Sequence, residues 1–140
     1  MNTENKNFLK VLAEMIPTPK LSNINVLMID DESRNLSAFR AEFRRRANVF
    51  LASNKIEALE VVNNNRIDYI FCDYLMPVNN GADILNEIKS LFPNIRSTIL
   101  TAYRTNKMIV DFKDKAGVTD ILYKPYNVGD ISKRIFGDKI

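Results

Sequence analysis

Short apolar runs alternate with amphipathic stretches along most of the chain. Five runs rich in β-branched and aromatic residues predict strands, at residues 25–29, 49–52, 67–72, 97–100 and 120–123. Apolar residues at helical spacing between and after these runs predict five helices, of which the one at residues 108–112 has the weakest pattern. The alternation predicts a parallel sheet with helices on both faces.

Polar residues mark where several helices begin. Asn54 with Glu57, and Asn127 with Asp130, have the spacing of helix-capping pairs, and Ser33 is expected to cap the first helix after the first strand. The stretch Asn79-Asn80-Gly81 predicts a turn before the helix that Pro93 ends.

A separate amphipathic stretch precedes the first strand. Residues 5–16 predict a short helix, which Pro17 and Pro19 separate from the remainder. We therefore expect an N-terminal extension at residues 1–22 and one domain at residues 23–140. The apolar strip leaves two alternatives open, packing on the chain's own domain or forming a homodimer or partner-docking surface.

Composition excludes several kinds of chemistry. The chain has 140 residues, a formal net charge of +3, one cysteine and no histidine, so histidine acid–base catalysis and histidine metal ligands are excluded. No run is long and apolar enough to predict a membrane helix, and the expected compartment is the cytoplasm. The basic cluster Arg44-Arg45-Arg46 is interpreted as a helix end, and no nucleic-acid partner is expected.

Polar side chains follow four of the predicted strands. Asp30-Asp31-Glu32 follows the first strand, Asp73 the third, Thr101 the fourth and Lys124 the fifth. In an open parallel sheet such residues meet at the carboxyl edge, where sites form. Crowded carboxylates suit a hard divalent cation such as Mg²⁺, and a carboxylate, an ammonium and a hydroxyl suit an incoming phosphoryl group.

These stretches resemble the receiver domain of two-component response regulators, here of a stand-alone, single-domain type. The matching segments are VLMIDDE, DYIFCDYLMPVNNG, TILTAY and YKPY, and the resemblance covers about residues 24–138. It implies a flavodoxin-like, doubly wound (βα)5 sandwich with a parallel sheet in the order 2-1-3-4-5. It also implies a signalling module that is not a conventional enzyme, with self-catalysed phosphoryl acceptance and slow autodephosphorylation only.

The resemblance also assigns roles to individual residues. Asp73 would accept the phosphoryl group, with Thr101 and Lys124 contacting it. Mg²⁺ would be held by Asp30, Asp31, Asp73 and the backbone carbonyl of Leu75. The bond before the proline at Lys124-Pro125 is often cis in this family. The donor would be a histidine kinase or histidine phosphotransfer protein in trans, and the output would be a downstream protein target.

One position departs from the family pattern. Ile121 lies where the family has an aromatic switch residue, which keeps open the alternative of a constitutive interaction module with little phosphorylation. A second alternative, an Mg²⁺-dependent aspartyl phosphohydrolase, is disfavoured because Leu75 replaces the general acid that such enzymes place two residues after the nucleophile.

Overall fold

The described strands form one parallel sheet. The structure, a computed structural model, describes residues 7–12, 22–102 and 120–137. Its strands are β1 (Asn25–Ile29), β2 (Asn48–Ala52), β3 (Tyr69–Asp73), β4 (Arg96–Thr101) and β5 (Asp120–Tyr123). Their order in the sheet is β2-β1-β3-β4-β5, and all four pairings are parallel. The predicted flavodoxin-like fold class is confirmed.

Four helices accompany these strands in the described ranges. They are α1 (Ser33–Phe43), α2 (Lys55–Asn64), α3 (Gly81–Leu91) and α4 (Val128–Phe136). The helix predicted at residues 108–112 lies outside the described residues. None of the helices in the described ranges is long and apolar enough to cross a membrane.

Two of the three predicted helix caps are confirmed. The Asn54 side chain accepts the Glu57 N–H, and Asn127 forms a capping box with Asp130. The prediction for Ser33 was wrong, because α1 already begins at that residue. The N-cap residue is Glu32, whose side chain makes no capping hydrogen bond and whose carbonyl oxygen accepts the N–H groups of Asn35 and Leu36. The helix therefore begins one residue earlier than expected.

The sheet lies between two apolar clusters, one on each face. β3 runs through the centre and is buried at all five positions, as a strand covered on both faces must be. One cluster includes Ile29, Ile70, Cys72, Ile84, Leu85 and Ile99, and the other includes Val26, Met28, Phe39, Phe71, Leu100 and Ile135.

The basic cluster after α1 has a packing role at one of its members. α1 ends at Phe43, directly before this cluster, which confirms the prediction that the cluster marks a helix end. The Arg46 guanidinium lies 4.9 Å from the ring centre of Phe43 and 5.3 Å from that of Phe136, and it donates to the Ser132 hydroxyl at 3.0 Å. Arg46 therefore ties the end of α1 to α4 by cation–π contacts and a hydrogen bond.

Gly81 allows the loop after β3 to fold closely against that strand. Its N–H donates to the carbonyl oxygen of Tyr74 at 2.9 Å, and the Tyr74 N–H donates to the carbonyl oxygen of Leu100 at 2.9 Å. A β-carbon at Gly81 would lie far inside van der Waals contact with the backbone carbonyl oxygen of Asp73, and 3.1 Å from the sulfur of Cys72. The predicted turn is thus also a point of close backbone approach.

Gly81→Ala is expected to destabilise the fold by about 1–3 kcal/mol, because the added methyl group meets backbone atoms of β3 that cannot move without disturbing the sheet. Urea denaturation would measure the change. Gly129→Ala is the matched control, since the nearest atom there, at 3.1 Å, belongs to the Asn127 side chain and not to backbone. Equal effects at the two glycines would contradict the close-approach explanation.

Candidate functional site at the carboxyl edge of the sheet

The two central strands bring three carboxylates together. Ile29 of β1 is paired with Cys72 of β3, and Asp30 and Asp73 each lie one residue further along. The carboxylates of Asp30, Asp31 and Asp73 each place an oxygen within 4.8 Å of the others. Asp30 and Asp73 are buried, whereas Asp31 is exposed. The predicted acidic cluster is therefore assembled at one edge of the sheet.

The next two strands add Thr101 and Lys124 at the same edge. Thr101 is the last residue of β4 and is buried. Its carbonyl oxygen accepts the Lys124 N–H at 2.8 Å, which fixes the backbone just after β5. The Lys124 ammonium then reaches across β4 and donates to an oxygen of Asp73 at 2.7 Å. The peptide bond between Lys124 and Pro125 is cis.

The Asp73 carboxylate is held in a place where its charge is poorly solvated. Burial raises the pKa of Asp73 above its usual value; the hydrogen bond from Lys124 and its charge oppose this, while the charges of Asp30 and Asp31 add to it. The net shift is upward, so the ion pair does not fully offset burial and repulsion.

The pKa of Lys124, the partner of Asp73, is also raised. Burial lowers the pKa of the ammonium, but the hydrogen bond to Asp73 and the negative charges of Asp73 and Asp30 raise it more. The pKa values of both partners are therefore raised, unlike those of a simple ion pair, in which the acid's pKa would fall. The cause is chiefly the burial of Asp73, to which the negative charges of Asp30 and Asp31 add.

Leu75 lies in the loop between β3 and α3, two residues after Asp73. Its side chain is 56% exposed and belongs to neither core cluster. Ile121 occupies the second position of β5, is partly buried, and packs against the cluster that contains Cys72. Cys72 itself is fully buried, and burial raises the pKa of its thiol well above the usual value.

Two further side chains approach the cluster without having been predicted. The Asn35 amide donates to the second oxygen of Asp30 at 2.9 Å. Tyr126 is partly buried; burial raises the pKa of its hydroxyl, Lys124 lowers it, and Asp30 and Asp73 raise it further, so the ring lies within their field. The sequence offered only weak signals for both, an amide in the first turn of a helix and the final Tyr of YKPY.

The donor set of this site fits a hard divalent cation. Three carboxylates against one ammonium leave an excess of two negative charges, which one divalent ion would neutralise. Oxygen atoms are the ligands that Mg²⁺ prefers, and it commonly takes one or two carboxylates together with water. An exposed Asp31 beside two buried carboxylates leaves the cluster open to such an ion from solvent.

A model of the response regulator receiver domain matches residues 26–136. The chain belongs to this family. It is 34% identical over 110 residues to the transcriptional regulatory protein ZraR of Escherichia coli, covering 78% of this chain and 25% of that protein. It is 30% identical over 112 residues to sporulation initiation phosphotransferase F of Bacillus subtilis, covering 79% of this chain and 90% of that protein. The chain thus spans about a quarter of the first relative and most of the second.

Solved receiver structures share the fold. A two-component response regulator from Clostridium difficile superposes with a TM-score of 0.74 at 20% identity, covering 81% of this chain and 93% of that chain. The receiver domain of Ssk1 from Saccharomyces cerevisiae, solved with the histidine phosphotransfer protein Ypd1, gives a TM-score of 0.71 at 26% identity, covering 86% and 89%. Both show the same fold as this chain.

The raised pKa of Asp73 predicts a pH-dependent contribution to stability. Because the folded chain binds the Asp73 proton more tightly than the unfolded chain does, the free energy of unfolding should fall as the pH rises from the ordinary value of 3.8 through the raised one. Asp73→Asn removes this contribution. Without added metal, the stability of the variant relative to wild type should therefore increase with pH in the window that begins at about pH 4.

Urea denaturation of both proteins at several pH values within this window would measure the difference. The sign of the slope of this difference with pH is the informative quantity. The loss of the Lys124 partner in Asp73→Asn adds an offset that does not vary with pH, because Lys124 stays charged throughout this range. A difference that shrinks with rising pH would show that the Asp73 carboxylate is stabilised by the fold.

Proposed function

We propose that this chain is a phosphorylatable receiver that accepts a phosphoryl group on Asp73 and passes the signal on by protein contact. The observation that carries the proposal is the Asp73 carboxylate, which is buried at the tip of β3, bonded to Lys124 and bordered by Asp30 and Asp31. Such a carboxylate can itself act as a covalent acceptor, provided that the incoming negative charge is neutralised.

The proposed phosphoryl donor is a phosphohistidine, which these 140 residues cannot themselves supply because they contain no histidine. A histidine kinase or a histidine phosphotransfer protein would serve. The solved complex of Ypd1 with the receiver domain of Ssk1 supports this kind of partner, at 26% identity to the present chain. The two roles of downstream docking and phosphorelay both remain compatible with this proposal, and the cytoplasm stays the predicted compartment.

Mg²⁺ is the proposed cofactor. Asp30, Asp31 and Asp73 would hold it together with the backbone carbonyl of Leu75, and its charge would offset that of the phosphoryl oxygens. The fit rests on the oxygen donor set and on the excess negative charge at the strand ends.

The residues of the chain then have distinct tasks in the transfer. A carboxylate oxygen of Asp73 forms a bond to phosphorus while the bond between phosphorus and the imidazole nitrogen breaks, and the electron pair of that bond stays on the imidazole. Lys124, already paired with Asp73, contacts the transferred group through its ammonium. The Thr101 hydroxyl, at the end of the adjacent strand, donates to a phosphoryl oxygen.

Intact-mass measurement after incubation with acetyl phosphate and Mg²⁺ tests the proposal. The wild-type protein should gain one phosphoryl group, and Asp73→Asn should gain none, because an amide oxygen is a far weaker nucleophile than a carboxylate. Omitting Mg²⁺ should greatly reduce the adduct. Lys124→Met should also reduce it, since the ammonium that offsets phosphoryl charge would be lost.

Asp83→Asn is the matched control, because Asp83 is an exposed carboxylate in the first turn of α3, away from the acidic cluster. It should gain the adduct as wild type does. A wild-type protein that takes no phosphoryl group from acetyl phosphate or from a phosphohistidine protein would favour the constitutive interaction module, as would an adduct that persists in Asp73→Asn.

We also infer self-association through the N-terminal extension. Residues 7–12 are helical, and all six are exposed to solvent. Phe8 is 64% exposed and Val11 52%, which supports an apolar strip that packing on the chain's own domain has not covered. A second copy of the chain offers an identical strip, as a two-fold dimer requires.

Deleting residues 1–20 should lower the mass in solution from that of a dimer to that of a monomer, because the strip that buries apolar surface would be lost. Light scattering coupled to size-exclusion chromatography would measure both proteins at equal concentration. Lys10→Ala in the full chain is the control for the same segment and should leave the dimer in place. Full-length protein that runs as a monomer would end the proposal.

A further inference from the structure

Asn35 holds one carboxylate of the acidic cluster from outside the cluster itself. It lies in the first turn of α1, and its own N–H donates to the carbonyl oxygen of Glu32 at 3.1 Å, so its backbone is fixed. Its side-chain amide donates to Oδ2 of Asp30 at 2.9 Å. A carboxylate can only accept, so the amide must present its NH₂ group to Asp30 and its carbonyl oxygen away from it.

The opposite oxygen of Asp30 is also occupied. Oδ1 accepts the backbone N–H of Glu32 at 2.9 Å, so the two oxygens are each held by one donor. Every carboxylate oxygen has two lone-pair sites, and each oxygen of Asp30 retains one. The buried carboxylate is therefore fixed in rotation while it keeps acceptor capacity toward the cluster.

Asp31 provides the contrast within the same cluster. It is exposed, whereas Asp30 is only 2% exposed. Exposed carboxylates keep rotamer freedom that must be lost when they bind an ion. A carboxylate whose orientation is fixed in advance avoids that loss, and outer hydrogen-bond partners of this kind support metal affinity in known sites.

We propose that Asn35 is a positioning residue for the cation site, which orients the Asp30 carboxylate before the ion binds. The inference rests on the proposed Mg²⁺ site, to which it adds a residue that is not itself a ligand. Asn35 neither contacts the ion nor takes part in phosphoryl transfer; it acts through Asp30 alone.

Titration of Mg²⁺ into ¹⁵N-labelled protein, followed through the backbone amide shifts of Asp31 and Asp73, measures the dissociation constant. Asn35→Leu keeps the volume of the side chain but removes the donor, and should weaken Mg²⁺ binding by about 10-fold or more. Asn35→Ala removes the same donor and should weaken Mg²⁺ binding in the same way. Because alanine favours helices, this variant keeps the test available if Asn35→Leu fails to fold. The measurement requires no phosphorylation of either variant.

Asn64→Leu is the matched control, since Asn64 is an exposed helical asparagine whose amide donates to the carbonyl oxygen of Glu60, far from the acidic cluster. It should bind Mg²⁺ as wild type does. A merely structural role for Asn35 would lower the thermal midpoint of the metal-free protein and leave the dissociation constant unchanged, which would overturn the inference. Wild-type protein that fails to bind Mg²⁺ would overturn the proposed function and the inference together, whereas normal binding by both Asn35 variants would overturn the inference alone.

Discussion

The ion pair between Lys124 and Asp73 is the interaction on which the rest of the site depends. It joins the ends of β3 and β5 across the intervening β4, and it opposes the upward pKa shift that burial and two neighbouring carboxylates give Asp73. Removing one member of such a pair leaves the charge of the other without compensation. This destabilises the folded protein more than replacing both members by apolar residues would. The order of the strands in the sheet brings both groups to one point.

The fold meets this need through backbone contacts. The Lys124 N–H is bonded to the carbonyl oxygen of Thr101, so the lysine starts from a fixed point on the neighbouring strand. On the other side, the Tyr74 N–H is bonded to Leu100, and Gly81 lets the chain pass close to the carbonyl of Asp73. Because the strand ends are held by hydrogen bonds, the side chains need little reorganisation for charge stabilisation.

Much of this arrangement could be predicted from the sequence. The apolar runs gave the bounds of β1 and β5 correctly, and polar residues at consecutive strand ends predicted that Asp30, Asp73, Thr101 and Lys124 share one edge. The start of α1 was predicted one residue late, because the N-cap residue is Glu32, whose side chain makes no capping hydrogen bond that a sequence pattern could signal. The contact between Asn35 and Asp30 depends on the rotamers of one helical side chain and of one side chain in the loop before the helix, to which hydrophobic periodicity is insensitive.

The electrostatics of the cluster also explain why the site is only partly buried. Lys124 leaves two negative charges unbalanced, and full burial of that excess would be prohibitive in a medium of low dielectric constant. The exposed Asp31 and the half-exposed Leu75 keep one side of the cluster in water. The same opening that makes the metal-free state tolerable is the route by which a cation and a phosphoryl group would enter. Stability without ligand and access for ligand are thus consequences of one charge imbalance.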